Sequence, residues 1–183
     1  MALETPQGNL GWQAIDFSLR DSSNGKLYSL DGVKGHGGLV VAFICNHCPY
    51  VQSVADTISK EADNLAELGI GFIGINSNDY DAYPEDSFEM MKIFAEKHKF
   101  HFPYVIDDTQ DAARSYGAVC TPDFFGFNKN LKLQYRGRLN SSRKELLPNA
   151  KRELFLAMQE MVERGHCTEE QLPSIGCSIK WRP

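Results

Sequence analysis

The sequence predicts an α/β domain with a central mixed sheet flanked by helices, and three observations carry that prediction. Unbroken apolar runs at 38–44 (GLVVAFI) and 70–75 (IGFIGI) suit strands buried on both faces, as in a parallel sheet. An amphipathic stretch with helical spacing follows each run. Segments broken by turn residues frame this core, the first around SSNG (22–25) and the second around NKN (128–130). Alternation of strand and helix with a hairpin at either end is the pattern of an α/β domain.

Taken in order, residues 15–30 alternate apolar and polar positions about the SSNG turn and read as an N-terminal β-hairpin. The strand at 38–44 leads into a helix whose buried stripe is Val51, Val54, Ala55, Ile58, Ala62 and Leu65, with Gly69 as its stop. After the strand at 70–75, residues 76–86 (NSNDYDAYPED) read as a polar, acidic, solvated connection. It leaves the same sheet edge as the cysteine turn described below, so it is placed to flank a substrate groove. Phe88, Met91, Phe94 and Ala95 mark a second amphipathic helix, and FPYVID (102–107) a short strand. The next helix is expected at 109–117, with Thr109 or Asp108 as cap and Gly117 as stop. DFFGF (123–127), NKN and LKLQYRG (131–137) form a second hairpin. A final helix spans 148–164, with Pro148 near its start and Gly165 after it. The expected organisation is one domain, 1–165, and an irregular tail, 166–183.

A chain of 183 residues that is 42% hydrophobic can bury a single sizeable core. Its net charge is −5, with acidic residues spread along the chain, which argues against a nucleic-acid partner. The first residues carry no basic start and no apolar signal region, and no run reaches the length of a membrane span. A cytoplasmic location is therefore expected, with no membrane partner. In a reducing compartment the five cysteines, Cys45, Cys48, Cys120, Cys167 and Cys177, point to metal binding or redox chemistry rather than a disulfide framework.

The informative stretch is FICNHCPYV, residues 43–51. Cys45 and Cys48 fall between the end of a buried strand and the start of a helix. A helix N-terminus offers free N–H groups and partial positive charge, which favour a thiolate, the reactive form of cysteine. His47 adds a second positive charge when protonated and is the candidate modulator of thiol pKa. Pro49 suits the first helical position and disfavours helical dihedrals at Cys48, so Cys48 is expected to cap the helix, with Cys45 just before it. Thiols at this spacing can close a disulfide with little movement of the chain. A zinc site would need four ligands. Cys120 and Cys177 would have to join the pair, and there is no second Cys-x-x-Cys. Taken alone, Cys120 reads as a small buried hydrophobe, Cys177 as an incidental tail thiol and Cys167 as structural or incidental. His98 and His101 have no partner set nearby in the sequence, and Trp12 and Trp181 are expected to pack.

The segments DFSLRD, GKLYSL, KGHGGLVVAFICNHCP and VCTP resemble the thioredoxin-like superfamily over most of residues 11–165. Within it the chain is similar to the alkyl hydroperoxide reductase/thiol-specific antioxidant group, and there to the peroxiredoxin-like proteins with a Cys-Asn-His-Cys-Pro motif. The resemblance implies a thioredoxin-like fold. It also implies a cis Thr121–Pro122 turn that faces the active site and helps bind an extended substrate, with Cys120 close by. Read as a thioredoxin, Cys45 attacks and Cys48 resolves. Read as a peroxiredoxin, the pattern Pro-x-x-x-Thr-x-x-Cys ends at Cys48-Pro49, but Cys45 and Val41 replace its threonine and first proline. The arginine peroxiredoxins use beside the sulfur is not identifiable, and Thr121-Pro122 stands roughly in its place.

These departures favour a thiol–disulfide oxidoreductase, with Cys45 and Cys48 catalytic, Thr121 and Pro122 binding substrate, and Cys120 and Cys177 as accessory thiols. The substrate would be a disulfide or oxidised thiol, the reductant a dithiol such as a thioredoxin. No cofactor is required, because sulfur carries the electrons. The alternative is a peroxiredoxin-like peroxidase in which Cys48 or Cys45 becomes a sulfenic acid. Further off stands a non-catalytic thiol sensor or zinc-binding module.

Overall fold

The computed structural model describes residues 2–142, 145, 147–168 and 170–183. The chain runs β1 (Ala2–Glu4), β2 (Leu19–Asp21), β3 (Leu27–Tyr28), α1 (Leu30–Val33), β4 (Gly38–Phe43), α2 (Pro49–Glu67) and β5 (Ile70–Asn76). A 3-10 turn at Pro84–Asp86 follows, then α3 (Phe88–Lys97), β6 (Tyr104–Ile106), α4 (Asp111–Tyr116), β7 (Cys120–Thr121), β8 (Asp123–Asn128), β9 (Leu133–Gly137), α5 (Glu153–Arg164) and β10 (Ile175–Ser178).

The central sheet is mixed, as expected. One part has the order β3-β2-β6-β5 and the other β4-β8-β9. The Ile44 N–H donates to the Ile75 carbonyl at 3.0 Å and joins the two parts beside β4 and β5. β5 and β6 are parallel, while β8 runs antiparallel to β4 from Gly38↔Asn128 to Phe43↔Asp123. The apolar run at β4 is continuous because both of its faces are covered. Val40, Ala42 and Ile44 pack with Val51, Ala55, Ile58 and Met158 from α2 and α5. Leu39, Val41 and Phe43 pack on the other face with Ile73, Ile75, Ala113 and Tyr116.

The expected hairpin is present as β2 and β3, and the Asp21 carboxylate closes its turn by accepting from the Ser23 and Asn24 N–H groups at 2.9 and 3.1 Å. In α2 the buried stripe is the one read from the sequence, Pro49 is the first helical residue, and Gly69 ends the helix at φ +72°. Two helix starts differ from expectation. At α4 the Thr109 hydroxyl accepts from the Asp111 N–H at 3.3 Å, as one of the two expected caps, but the N–H groups of Ala112 and Ala113 are taken by the buried carboxylate of Asp107, at 3.3 and 3.0 Å. α5 begins at Glu153, not near Pro148; Glu153 is held there by Arg138, at 2.5 Å from Nε.

The irregular tail is also corrected. Within 166–183, β10 pairs with β1 through Ala2↔Cys177 and Glu4↔Ile175, and with β7 through Cys177↔Thr121 and Ser178↔Cys120. A four-residue strand containing glycine has no alternation to reveal it. The glycine is required: a Cβ on Gly176 would lie 1.8 Å from the Thr121 carbonyl oxygen.

Candidate redox site

β4 delivers the cysteine turn to the end of the sheet, and Cys48 caps α2 with φ −71° and ψ 119°. Both motif residues are fully buried. Across from them stands Thr121, joined to Pro122 by a cis peptide bond. Thr121 Oγ1 lies 3.2 Å from Cys45 Sγ, and as a thiol Cys48 donates to the Thr121 carbonyl at 3.2 Å. Cys48 Sγ is also within hydrogen-bonding reach of the Cys45 and Cys177 side chains and of the Cys177 and Val51 N–H groups. Thr121 and Pro122 thus lie where the resemblance puts them.

The charge on this cluster falls on Cys48. Its pKa is lowered to about 5, first by the hydrogen bond from the Cys45 thiol, with Cys177 and Val51 adding to it against the cost of burial. Cys45 moves well upward, chiefly through burial, then through its bond to Cys48 and the charge of Asp86. The lower pKa thus falls on Cys48, not on the Cys45 that attacks in the thioredoxin pattern. The cause is the set of neighbours: the Cys45 thiol and then Cys177 and Val51 favour charge on Cys48, while Cys45 is more costly to ionise through burial and faces the Asp86 carboxylate.

That carboxylate belongs to the acidic loop expected to be solvated. Its middle, residues 81–85, is exposed as expected, but Asn76, Ser77, Asn78, Asp79 and Asp86 at its two ends are buried. Asp86 accepts from the N–H groups of Asn46 and His47 at 2.7 and 3.3 Å, from His47 Nδ1 at 2.5 Å and from Asn78 Nδ2 at 2.7 Å. It holds the cysteine turn in place and raises the pKa of His47, mainly through the side-chain bond. Tyr83 stacks on the His47 ring, with centroids 5.2 Å apart. Tyr104 supports the turn from beneath by donating to Asn46 Oδ1 at 2.9 Å. Asp86 is the site residue that sequence reasoning missed. The available signal was its place in an acidic loop at the sheet edge that carries the cysteines.

The remaining thiols separate clearly. Cys120 is fully buried, and burial with the nearby Asp123 pushes its pKa up to about 12. Cys177 is half-buried, and partial burial lifts it to about 11. Cys167 packs on the edge of the core. Cys45, His47 and Asp86 offer ligand atoms within 4.8 Å of one another. Three donors fall short of a structural zinc set, and the Asp86 oxygens are already engaged by four hydrogen-bond donors. Arg136 is committed to Asp123 at 2.8 Å and to the Gly117 carbonyl at 2.8 Å. Trp12 packs edge-on against Tyr116, and Trp181 lies under Arg114. His98 and His101 pair with Asp56 and Asp63.

Comparison with known proteins gives the family and the fold. The model of the AhpC/TSA family matches residues 10–136. An uncharacterised conserved protein of Geobacillus kaustophilus is 43% identical, with 100% of this chain and 97% of that one covered and a TM-score of 0.95. A hypothetical protein of Sinorhizobium meliloti 1021 is 35% identical over 98% of both chains, with a TM-score of 0.92. The thioredoxin domain of a thiol-disulfide oxidoreductase from Bacteroides vulgatus is 20% identical, over 71% of this chain and 89% of that one, with a TM-score of 0.60, and shows the fold alone. No curated protein matches. Among the described residues no helix is long and apolar enough to cross a membrane. The family match covers well over half of the chain: the protein belongs to the AhpC/TSA family, as a thiol-redox enzyme on a thioredoxin-like fold.

Proposed function

We propose that the protein is a peroxiredoxin-like thiol peroxidase in which Cys48 attacks a hydroperoxide and Cys45 resolves the product. The observation that carries this reading is the fully buried Cys48 at the cap of α2, with its pKa lowered to about 5. That is the cysteine at which the peroxiredoxin pattern ends, whereas thioredoxin-like exchange starts from Cys45. Burial also selects for a small oxidant. A cavity of about 30 Å³, lined by Tyr50, Val54, Pro122 and Ile175 among others but by neither motif cysteine, has room for a molecule the size of water or hydrogen peroxide.

In this reading the Cys48 thiolate attacks the terminal oxygen of the hydroperoxide. The O–O bond breaks, and the departing oxygen takes the proton of the Cys45 thiol to leave as an alcohol or water. Cys48 is then a sulfenic acid and Cys45 a thiolate. Cys45 attacks the Cys48 sulfur, the S–O bond breaks, and hydroxide leaves to become water with a solvent proton. A Cys45–Cys48 disulfide remains, to be reduced by an external dithiol. Thr121 touches both sulfurs and Pro122 borders the small cavity, which supports a binding role for each.

Disulfide exchange is the second reading, favoured by the contact between Cys45 and Cys48. Stopped-flow oxidation by hydrogen peroxide separates the two. The peroxidase reading expects a second-order rate far above that of a free thiolate, lost in Cys48→Ser and kept for the first step in Cys45→Ser. An ordinary thiolate rate, with rapid reduction of a model disulfide that is lost in Cys45→Ser, would replace it with the exchange reading.

A further inference from the structure

We propose that Cys177 is a second resolving thiol, which captures oxidised Cys48 and carries the disulfide out to the protein surface. This rests on the peroxidase reading for its oxidant, and the experiment below keeps the two separable.

The problem it answers is access. Cys45 and Cys48 are both fully buried, so a disulfide between them presents no sulfur to a protein-sized reductant. Cys177 is half-buried. β10 brings it to this place by pairing Cys177 with Thr121, the residue that touches both motif sulfurs. Its side chain and its N–H are both within hydrogen-bonding reach of Cys48 Sγ. Gly176 makes the approach possible, since any Cβ there would collide with the Thr121 carbonyl. On its other edge β10 is held by β1, through Ala2↔Cys177 and Leu3↔Gly176. Cys120, one residue from Thr121, lies on the same strand pair but is fully buried, so a disulfide to it would bring no sulfur nearer the surface.

The step balances without a further oxidant. The Cys177 sulfur attacks the sulfur of the Cys48 sulfenic acid, and the S–O bond breaks. The hydroxide leaves as water with the proton that Cys177 gives up, and the product is a Cys48–Cys177 disulfide. A dithiol then attacks the sulfur of Cys177, the partner in this disulfide that is not fully buried. Cys48 departs as the thiolate its site stabilises, which makes it a good leaving group.

The test is disulfide mapping by mass spectrometry on the full chain with Cys45→Ser, and with Cys45→Ala should the serine disturb folding. Each is treated with one equivalent of hydrogen peroxide or with diamide, which oxidises neighbouring thiols without a sulfenic acid. An intramolecular Cys48–Cys177 disulfide with both oxidants is expected. Formation with diamide but not with peroxide would sustain the Cys177 pairing and sink the peroxidase reading. If peroxide leaves Cys48 as sulfenic or sulfinic acid, and diamide leaves both thiols free, the proposal is overturned. In the otherwise unaltered chain, Cys177→Ser should slow re-reduction of the oxidised protein by a thioredoxin at least tenfold. Unchanged re-reduction would likewise overturn the proposal.

Discussion

At the scale of single residues, the site is a contest over where one negative charge sits. Cys48 wins it because first the Cys45 thiol and then Cys177 and Val51 favour its charged form, and Cys45 loses it because burial, its bond to Cys48 and Asp86 oppose ionisation. Thiolate absorbance near 240 nm should therefore show one step with a midpoint near 5, absent in Cys48→Ser. The same shift has a stability consequence with a definite sign. A thiol lowered from 9.0 to about 5 stabilises the fold fully above 9.0 and loses that contribution as pH falls through about 5. The melting temperature of the parent relative to Cys48→Ser should thus rise across that window, and a flat difference would contradict the assignment. His47 runs the other way. Its raised value stabilises the fold below the ordinary 6.5 and fades as pH climbs through the folded one. Asp86→Asn should return the His47 titration toward 6.5, as read by NMR of the ring, and cost about 2–3 kcal/mol for the charged hydrogen bonds it removes. The two motif thiols, His47, Thr121 and Pro122 were legible from spacing and resemblance. The polarity of the thiol pair was not, because it depends on Cys177 and Asp86, which only the tertiary fold brings to the turn.

Secondary elements were legible wherever a periodic pattern had enough residues to declare itself. α2 declared both its stripe and its ends, through Pro49 and Gly69, because the N-terminal and C-terminal signals are local chemistry. The cap of α4 was legible only in part: Thr109 accepts from one N–H, but Asp107, at the end of the preceding strand, reaches forward to two more. β10 was invisible because its partners lie far off in sequence and its glycine breaks any alternation. That glycine offers an element-level test. In Gly176→Ala the new methyl group would fall 1.8 Å from the Thr121 carbonyl oxygen, so β10 must move off β7. The expected cost is about 1–3 kcal/mol, typical of overpacking. Displacement would also lengthen the Cys177 bonds to Cys48 and raise the low thiolate midpoint. Chemical denaturation and the absorbance titration, run together, distinguish a local shift of the strand from general loosening. A stable variant with an unchanged midpoint would show that β10 does not set the charge on Cys48.

For the whole molecule, the question is whether residues 166–183 are an appendage or part of the fold. The order of hairpin, strands and helices was enough to predict the mixed sheet, since each central strand announces its burial on both faces. A boundary at Gly165 followed from the helix stop, which is a local signal and carries no information about what the chain does next. The chain in fact returns to the core. Ser174 is buried and donates through Oγ to the Gly137 carbonyl at 2.9 Å, while the Thr5 N–H donates to the Ser174 carbonyl at 3.0 Å. Ile179 is buried, and its N–H donates to the Val119 carbonyl at 3.0 Å. The Lys180 N–H donates to Asn78 Oδ1 at 2.9 Å, and its carbonyl accepts from the Asp79 N–H at 2.8 Å, which ties the last residues to the loop that holds Asp86. Ending the chain at Gly165 would remove all of these bonds, strip the partner from β7 and uncover Cys48. We expect a loss of stability beyond the ~2–5 kcal/mol of a single large-to-small core substitution. Ellman's reagent should then titrate Cys48 quickly in the shortened chain and slowly in the intact one. The two effects share a cause, because β10 both closes the edge at Thr121 and covers the sulfur. An unchanged urea midpoint and equally slow thiol labelling would make the tail an appendage after all, and Cys177 could then hardly serve the site it touches.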